Sequence, residues 1–212
     1  MFCLLSLSIT GGPDSDRWSC LIQQAFYNEW KSIHGMKHQT VDNAYGITMD
    51  ISGPTSVRSN DLRVLGDSRM VARLNTLFEN DPIKYKIFGD SIYPHVDSIT
   101  TYWRHTPQTE REKKENHVYK SVRIAIEWNY MVTANLFSYF KNLDKLKLLH
   151  TQNCAKIYRV CTLLRNCHVC LYGSISSSYF NLTLPNNMLE KYMQCNLKKI
   201  EPSNKQTNEQ TS

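Results

Sequence analysis

The sequence predicts one mixed α/β domain in which a sheet is flanked by helices, and the order of its periodic segments carries that prediction. Two short β-like runs come first, over about 32–41 and 46–51. A helical stretch, a compact apolar strand and two long helical stretches follow. Elements in this order pack as layers around a shared core. At 212 residues, with 41% hydrophobic and 21% charged residues, the chain has the size and balance of one globular domain.

Residues 1–24 read as an irregular segment: an apolar start, then Gly11-Gly12-Pro13 and a polar run. No Lys or Arg precedes the apolar start, and the run is too short for the core of a signal peptide. No other stretch nears the roughly 20 apolar residues of a membrane-spanning helix, so a soluble, intracellular protein with no membrane partner is expected. The next two runs form a hairpin through the turn signal Asp42–Gly46, and Gly53-Pro54 is expected to close it. Ser59-Asn60-Asp61 offers a helix cap, after which Leu62, Val64, Leu65, Val71, Leu74 and Leu77 recur at helical spacing.

Lys84–Gly89 reads as a strand that runs directly into Asp90, and residues 95–110 read as irregular. Glu110–Glu115 opens a helix that reaches about Phe140, with a connector over Leu143–Leu149. Asn153–Leu171 reads as the second long helix, and a short helix falls within Tyr179–Tyr192. The folded domain is expected over 25–195, and the polar segment 196–212 as a disordered tail.

Two features carry chemistry. Asp90 ends an apolar strand, where a sheet fixes a side chain at the cleft that binds ligands. Asn116, Arg123 and Glu127 are separated by seven and four residues, which places them on one helix face together with Lys120. Two carboxylates on rigid elements are the start of a Mg²⁺ or Mn²⁺ site, because hard cations take oxygen ligands and keep positions for water and phosphate. By spacing alone, a surface pair of Arg123 with Glu127 and a turn-capping Asp90 explain the same residues.

The string GDSIYP, then ENHVYKSVRIAIEW, then a late helix ending LLRNCHVC, resembles the catalytic domain of Harbinger-type DDE transposases. The earlier YNEWKSIHGMKHQTV and GITMDISGPTSVRSNDLRVL resemble the same family, so the likeness runs in order over about 25–192. It implies an RNase H-like fold and a metal-dependent endonuclease and strand-transfer enzyme acting on DNA. It also implies a nuclear location and a separate Myb-like DNA-binding partner. Asp90 takes the second acidic position of the Asp-Asp-Glu triad and Glu127 the third, 37 residues apart, with Mg²⁺ or Mn²⁺ between them and Arg123 orienting Glu127. Asp61 matches a further acidic position of the family and is read as a helix N-cap.

The first triad Asp has no counterpart in this reading. It belongs on the first core strand, which the chain is expected to carry only incompletely; Asp14 and Asp16 are the nearest substitutes, and Asp50 belongs to a later strand. The chain is therefore expected to be inactive as a nuclease, with a non-catalytic DNA-binding or protein-interaction remnant as the alternative. The net charge of +6 suits a polyanionic partner without specifying one. Cys154, Cys161, Cys167 and Cys170 share one helix and are read as small core residues rather than as zinc ligands with His168. His34, His38, His95 and His117 are read as surface or hinge residues. Lys31, Lys37, Arg58, Lys113, Lys114 and Lys120 are candidates for contact with a DNA backbone.

Overall fold

The computed structural model describes residues 2–11, 24–29, 32–80, 85–96, 98–103, 105–106, 109–140 and 154–197, the first of these ranges as backbone. A six-stranded mixed sheet is centred on β1 (Phe2–Gly11). β3 (Ile33–Asn43) pairs antiparallel along all of β1, from Phe2↔Asn43 to Gly11↔His34. β2 (Tyr27–Asn28) and β4 (Thr48–Ser56) both pair antiparallel with β3. On the other side of β1, β5 (Ile87–Gly89) runs parallel to it from Phe2↔Ile87 to Leu4↔Gly89, and β6 (Ile99–Thr100) runs parallel to β5. Three long antiparallel strands followed by two short parallel ones, with helices packed against them, make the expected RNase H-like arrangement.

β1 corrects the sequence reading of residues 1–24 as irregular, since Phe2–Gly11 form a strand. Leu5, Leu7 and Ile9 alternate with Ser6, Ser8 and Thr10, the period of a strand with one apolar face, and β3 supplies a ladder along its full length. Asp14 and Asp16 lie outside the described residues, as do Lys31, the connector over 143–149 and the tail from 198.

The β3–β4 turn is set by Asn43, whose Oδ1 accepts from the backbone N–H groups of Tyr45 (3.1 Å) and Ile47 (3.0 Å). Gly46 sits in it at φ +83°, where a Cβ would lie 2.6 Å from Ser174 Oγ, so both the backbone angle and the close packing require glycine. Gly53-Pro54 does not close the hairpin, since β4 continues through it to Ser56. The single helix read over 62–77 is two helices, α1 (Asp61–Ser68) and α2 (Met70–Phe78), broken where Arg69 takes φ +50°. Leu65 and Met70 pack beneath them against Val41, Ile87 and Ile99.

α3 (Glu110–Leu136) starts at a capping box: Thr109 Oγ1 accepts from Glu112 N–H, and the Glu112 carboxylate accepts from Thr109 N–H. Its Val122 seals the core against Phe88 on β5. α4 (Cys154–Tyr172) follows, then α5 (Ile175–Tyr179) and α6 (Met188–Leu197). Cys154 and Cys161 pack with Phe140 and Tyr158, and Cys170 with Ile47 and Val169, the small-core role the spacing suggests. Burial raises the thiol pKa of Cys161 and of Cys170.

Arg165 of α4 is 2% exposed and lies 3.6 Å from Asp42 of β3, itself 1% exposed. The guanidinium also donates to Thr48 Oγ1, to Asn166 Oδ1 (2.9 Å) and to the Asn129 carbonyl of α3 (3.4 Å). Asp42 in turn accepts from Thr40 and Thr48 hydroxyls. Removing one partner of such a pair leaves an uncompensated buried charge. Arg165→Met is therefore expected to lose about 3–5 kcal/mol of stability, and the Arg165→Met/Asp42→Leu double variant to recover much of it, as read from urea unfolding midpoints.

His38 is not the surface or hinge residue the sequence suggested: it is fully buried and stacks on Tyr158 with ring centroids 4.9 Å apart. Burial, and then the nearby Arg159, push its pKa from 6.5 down to about 4. A lowered folded-state pKa means that the unfolded chain takes up the proton first. Stability is thus full above pH 6.5, falls as pH drops towards 4 and levels off below that. The expected loss is about 3 kcal/mol across this window, and unfolding titrations of His38→Phe at several pH values should lack this component.

Candidate functional site

The site begins with the packing that fixes Asp90. β5 is fully buried, and Asp90 is the first residue beyond it. A Cβ on Gly89 would stand 3.0 Å from Tyr93 Cδ2 and 3.2 Å from Ile99 Cγ2, so the strand ends in glycine because Tyr93 folds back over it. Tyr93 is buried and its hydroxyl accepts from Gln39 Nε2 at 3.1 Å, which ties the turn after Asp90 to β3. Asp90 Oδ1 accepts from Ser91 N–H at 2.6 Å.

α3 delivers the other groups. Arg123 Nη1 donates to Asp90 Oδ1 at 3.4 Å, and Arg123 Nε donates to Glu127 Oε1 at 3.1 Å. One guanidinium therefore joins the two carboxylates that the sequence singled out, and the strand end and the helix face meet as expected. The Asp90 and Glu127 side chains remain one-third and one-half exposed, so each bridge is worth at most about 1 kcal/mol and weakens with salt. Beside them a cleft of about 240 Å³ is lined by Phe88, Gly89, Asp90, Tyr102, Tyr119, Lys120 and Arg123. Two cationic side chains and two phenol rings suit a polyanion that also carries flat rings.

Asn116 does other work. Its Oδ1 accepts from Trp103 N–H at 2.8 Å and its Nδ2 donates to the Trp103 carbonyl at 3.4 Å, while Glu115 accepts from the indole N–H at 3.0 Å. These bonds clamp the loop that carries Tyr102 onto the first turns of α3. Tyr102 and the Trp103 clamp escaped the sequence reading, because a loop closing onto a helix leaves no periodic signal; Tyr119, on α3, was not singled out either.

Asp61 does not join the group. Asn60 provides the helix cap by accepting from Leu62 N–H at 3.0 Å, and Asp61 binds Lys37 Nζ at 2.7 Å. Lys37 also donates to the Ser59 carbonyl, so it serves the fold rather than an open surface. Asp50 is held by both terminal nitrogens of Arg73, and Lys113 is paired with Glu110. Among the described residues no three His, Cys, Asp or Glu side chains are grouped to hold a metal ion, and no helix is long and apolar enough to cross a membrane.

A family model described as DDE superfamily endonuclease matches residues 15–166, a span that contains Asp90, Arg123 and Glu127. No curated protein and no solved structure matches the chain. If Gly89 is required for the seat of Asp90, Gly89→Ala should cost about 1–3 kcal/mol through overpacking. In thermal unfolding it should be more harmful than Gly66→Ala, where a Cβ would meet nothing within 4 Å.

Proposed function

The chain belongs to the DDE superfamily of endonucleases, and we propose that it is a transposase-derived, DNA-binding domain whose cutting site is incomplete. One arrangement carries this reading. Arg123 bridges Asp90 and Glu127, and β1, the strand beside β5, runs from Phe2 to Gly11 without an acidic residue. Members of the superfamily generally use divalent metals with DNA as substrate. Such chemistry calls for hard oxygen ligands around one or two dications. Two carboxylates that share one guanidinium, with no third acid grouped with them among the described residues, do not make up such a centre. The parallel ladder of β1 with β5 ends at Leu4↔Gly89, one residue before Asp90, and we take the next residue of β1, Leu5, as the neighbour of Asp90. Leu5 is thus the position where the missing carboxylate is wanted.

The order and spacing of GDSIYP and the Arg123–Glu127 helix favour the Harbinger group within the superfamily, and with it action in the nucleus. The cleft's Lys120, Arg123, Tyr102 and Tyr119 suit retention of DNA without cleavage. A protein-interaction remnant that works beside a Myb-like DNA-binding protein is the second reading, since a partner-binding surface does not depend on the metal ligands.

The purified chain, given supercoiled plasmid and Mn²⁺, is expected to retain DNA in a salt-sensitive manner and not to nick it. Leu5→Asp is expected to introduce nicking, and Asp90→Asn to remove it again. Nicking by the unmodified chain that Asp90→Asn abolishes would overturn the reading of an incomplete site. Absence of DNA retention at low salt would leave the protein-interaction reading.

A further inference from the structure

An aromatic strip runs out from the Asp90 cleft along the first turns of α3. In the cleft Tyr119 packs on Phe88 with ring centroids 4.2 Å apart, and Tyr102 lines the same cleft. One turn earlier on α3, Glu115 accepts from the indole N–H of Trp103, so the indole edge lies a single turn from Tyr119. The Trp103 ring neighbours that of His95, near parallel at 6.0 Å, and that of His105, edge-on at 5.6 Å. Trp103 is 38% exposed, yet three hydrogen bonds hold it, two from its backbone to Asn116 and one from its indole to Glu115. Arg111 fixes Glu115 in turn at 2.8 Å. An indole whose one donor is taken has only ring surface left to offer a ligand. Because its position is set beforehand, a flat group stacking there costs little side-chain freedom.

The charges beside the strip favour an anion. The carboxylates of Asp90 and Glu115 are each paired with an arginine, Arg123 and Arg111, while Lys120 adds an exposed ammonium to the cleft wall. The cleft holds about 240 Å³, below the roughly 300–1,000 Å³ of sites for drug-sized ligands. It has room for a ring but not for a double helix, whose major groove alone is about 12 Å wide. A duplex also keeps its base faces stacked on one another, so it meets the phenols and the indole only with its backbone. We propose, on the DNA-binding reading of this chain, that the cleft and the strip select single-stranded over duplex DNA. Unpaired bases stack on Tyr102, Tyr119 and Trp103, and their phosphates lie on Lys120 and Arg123. Every base has a π-face, so the choice is between strand states and not between sequences. Each stack contributes roughly five- to a hundredfold in affinity.

Fluorescence anisotropy titrations of the full chain compare a labelled single strand with the same strand annealed to its complement, at one low salt concentration and in EDTA so that nothing is cut. The single strand is expected to bind at least about tenfold more tightly, the factor of one stack. Trp103→Ala and Tyr102→Leu should each weaken the single strand about fivefold or more and leave the duplex within about twofold. Trp103→Phe, which keeps a ring, should retain most of the preference. Lys120→Ala should weaken both forms alike and flatten their salt dependence. If Trp103→Ala does not fold, Tyr102→Leu and Trp103→Phe decide. A duplex bound as tightly as the single strand, or a preference that survives both ring deletions, would overturn the selection of single strands and leave duplex retention standing. Binding of neither form counts against the DNA-binding reading itself and overturns the selection with it.

Discussion

The guanidinium of Arg165 is the constraint on which the rest of the arrangement depends. A charge removed from water in this way survives only when it is surrounded by acceptors, and here these come from four elements. Asp42 belongs to β3, Thr48 to β4, Asn166 to α4 itself, and the Asn129 carbonyl to α3. Asn129 follows Glu127 by two residues, so the bond to its carbonyl holds α3 close to the residue that pairs with Arg123.

The charges of the cleft are of another kind. Arg123, Asp90 and Glu127 are all partly exposed, so their mutual attraction is screened and contributes little to holding the fold. What holds Asp90 in place is packing: Tyr93 folded over Gly89, its hydroxyl bonded to Gln39, and Ile99 against the strand end. The positions of the site residues are thus fixed by apolar contacts and backbone, while their charges stay free to respond to a phosphate or a cation. A polyanion entering the cleft meets Lys120 and Arg123, whose guanidinium can turn from carboxylate to phosphate without cost to the core.

The parts of this structure that the sequence disclosed are those with a period. A four-residue interval on a helix that reads as amphipathic put Arg123 over Glu127, and a buried strand running into Asp90 put that carboxylate at an edge. β1 was misread because its alternation of Leu and Ser is short and follows an apolar start that looks like a leader. Asn116 shared the helical register of Arg123, yet its partner is a loop, and closure of a loop is a matter of tertiary packing. His38 and Arg165 were illegible for a further reason. Both are polar residue types seldom buried in full, and only the stacking of Tyr158 and the presence of Asp42 make their burial tolerable.

The division between a buried charge network and an exposed one also means that this fold does not depend on acids in the cleft. A cluster of three carboxylates around a cation site is a source of repulsion whenever the cation is absent, so such a cluster is held together at the expense of stability. β1 is held by its backbone ladder to β3 and by its parallel pairing with β5, neither of which needs an acidic side chain. β1 carries no acidic residue, and its ladder to β3 is complete from Phe2 to Gly11 all the same. The fold and the charges of the cleft are therefore separable in this chain. The fold rests on Asp42, Arg165 and the glycine at the end of β5, none of which needs the exposed charges of Asp90, Arg123 and Glu127.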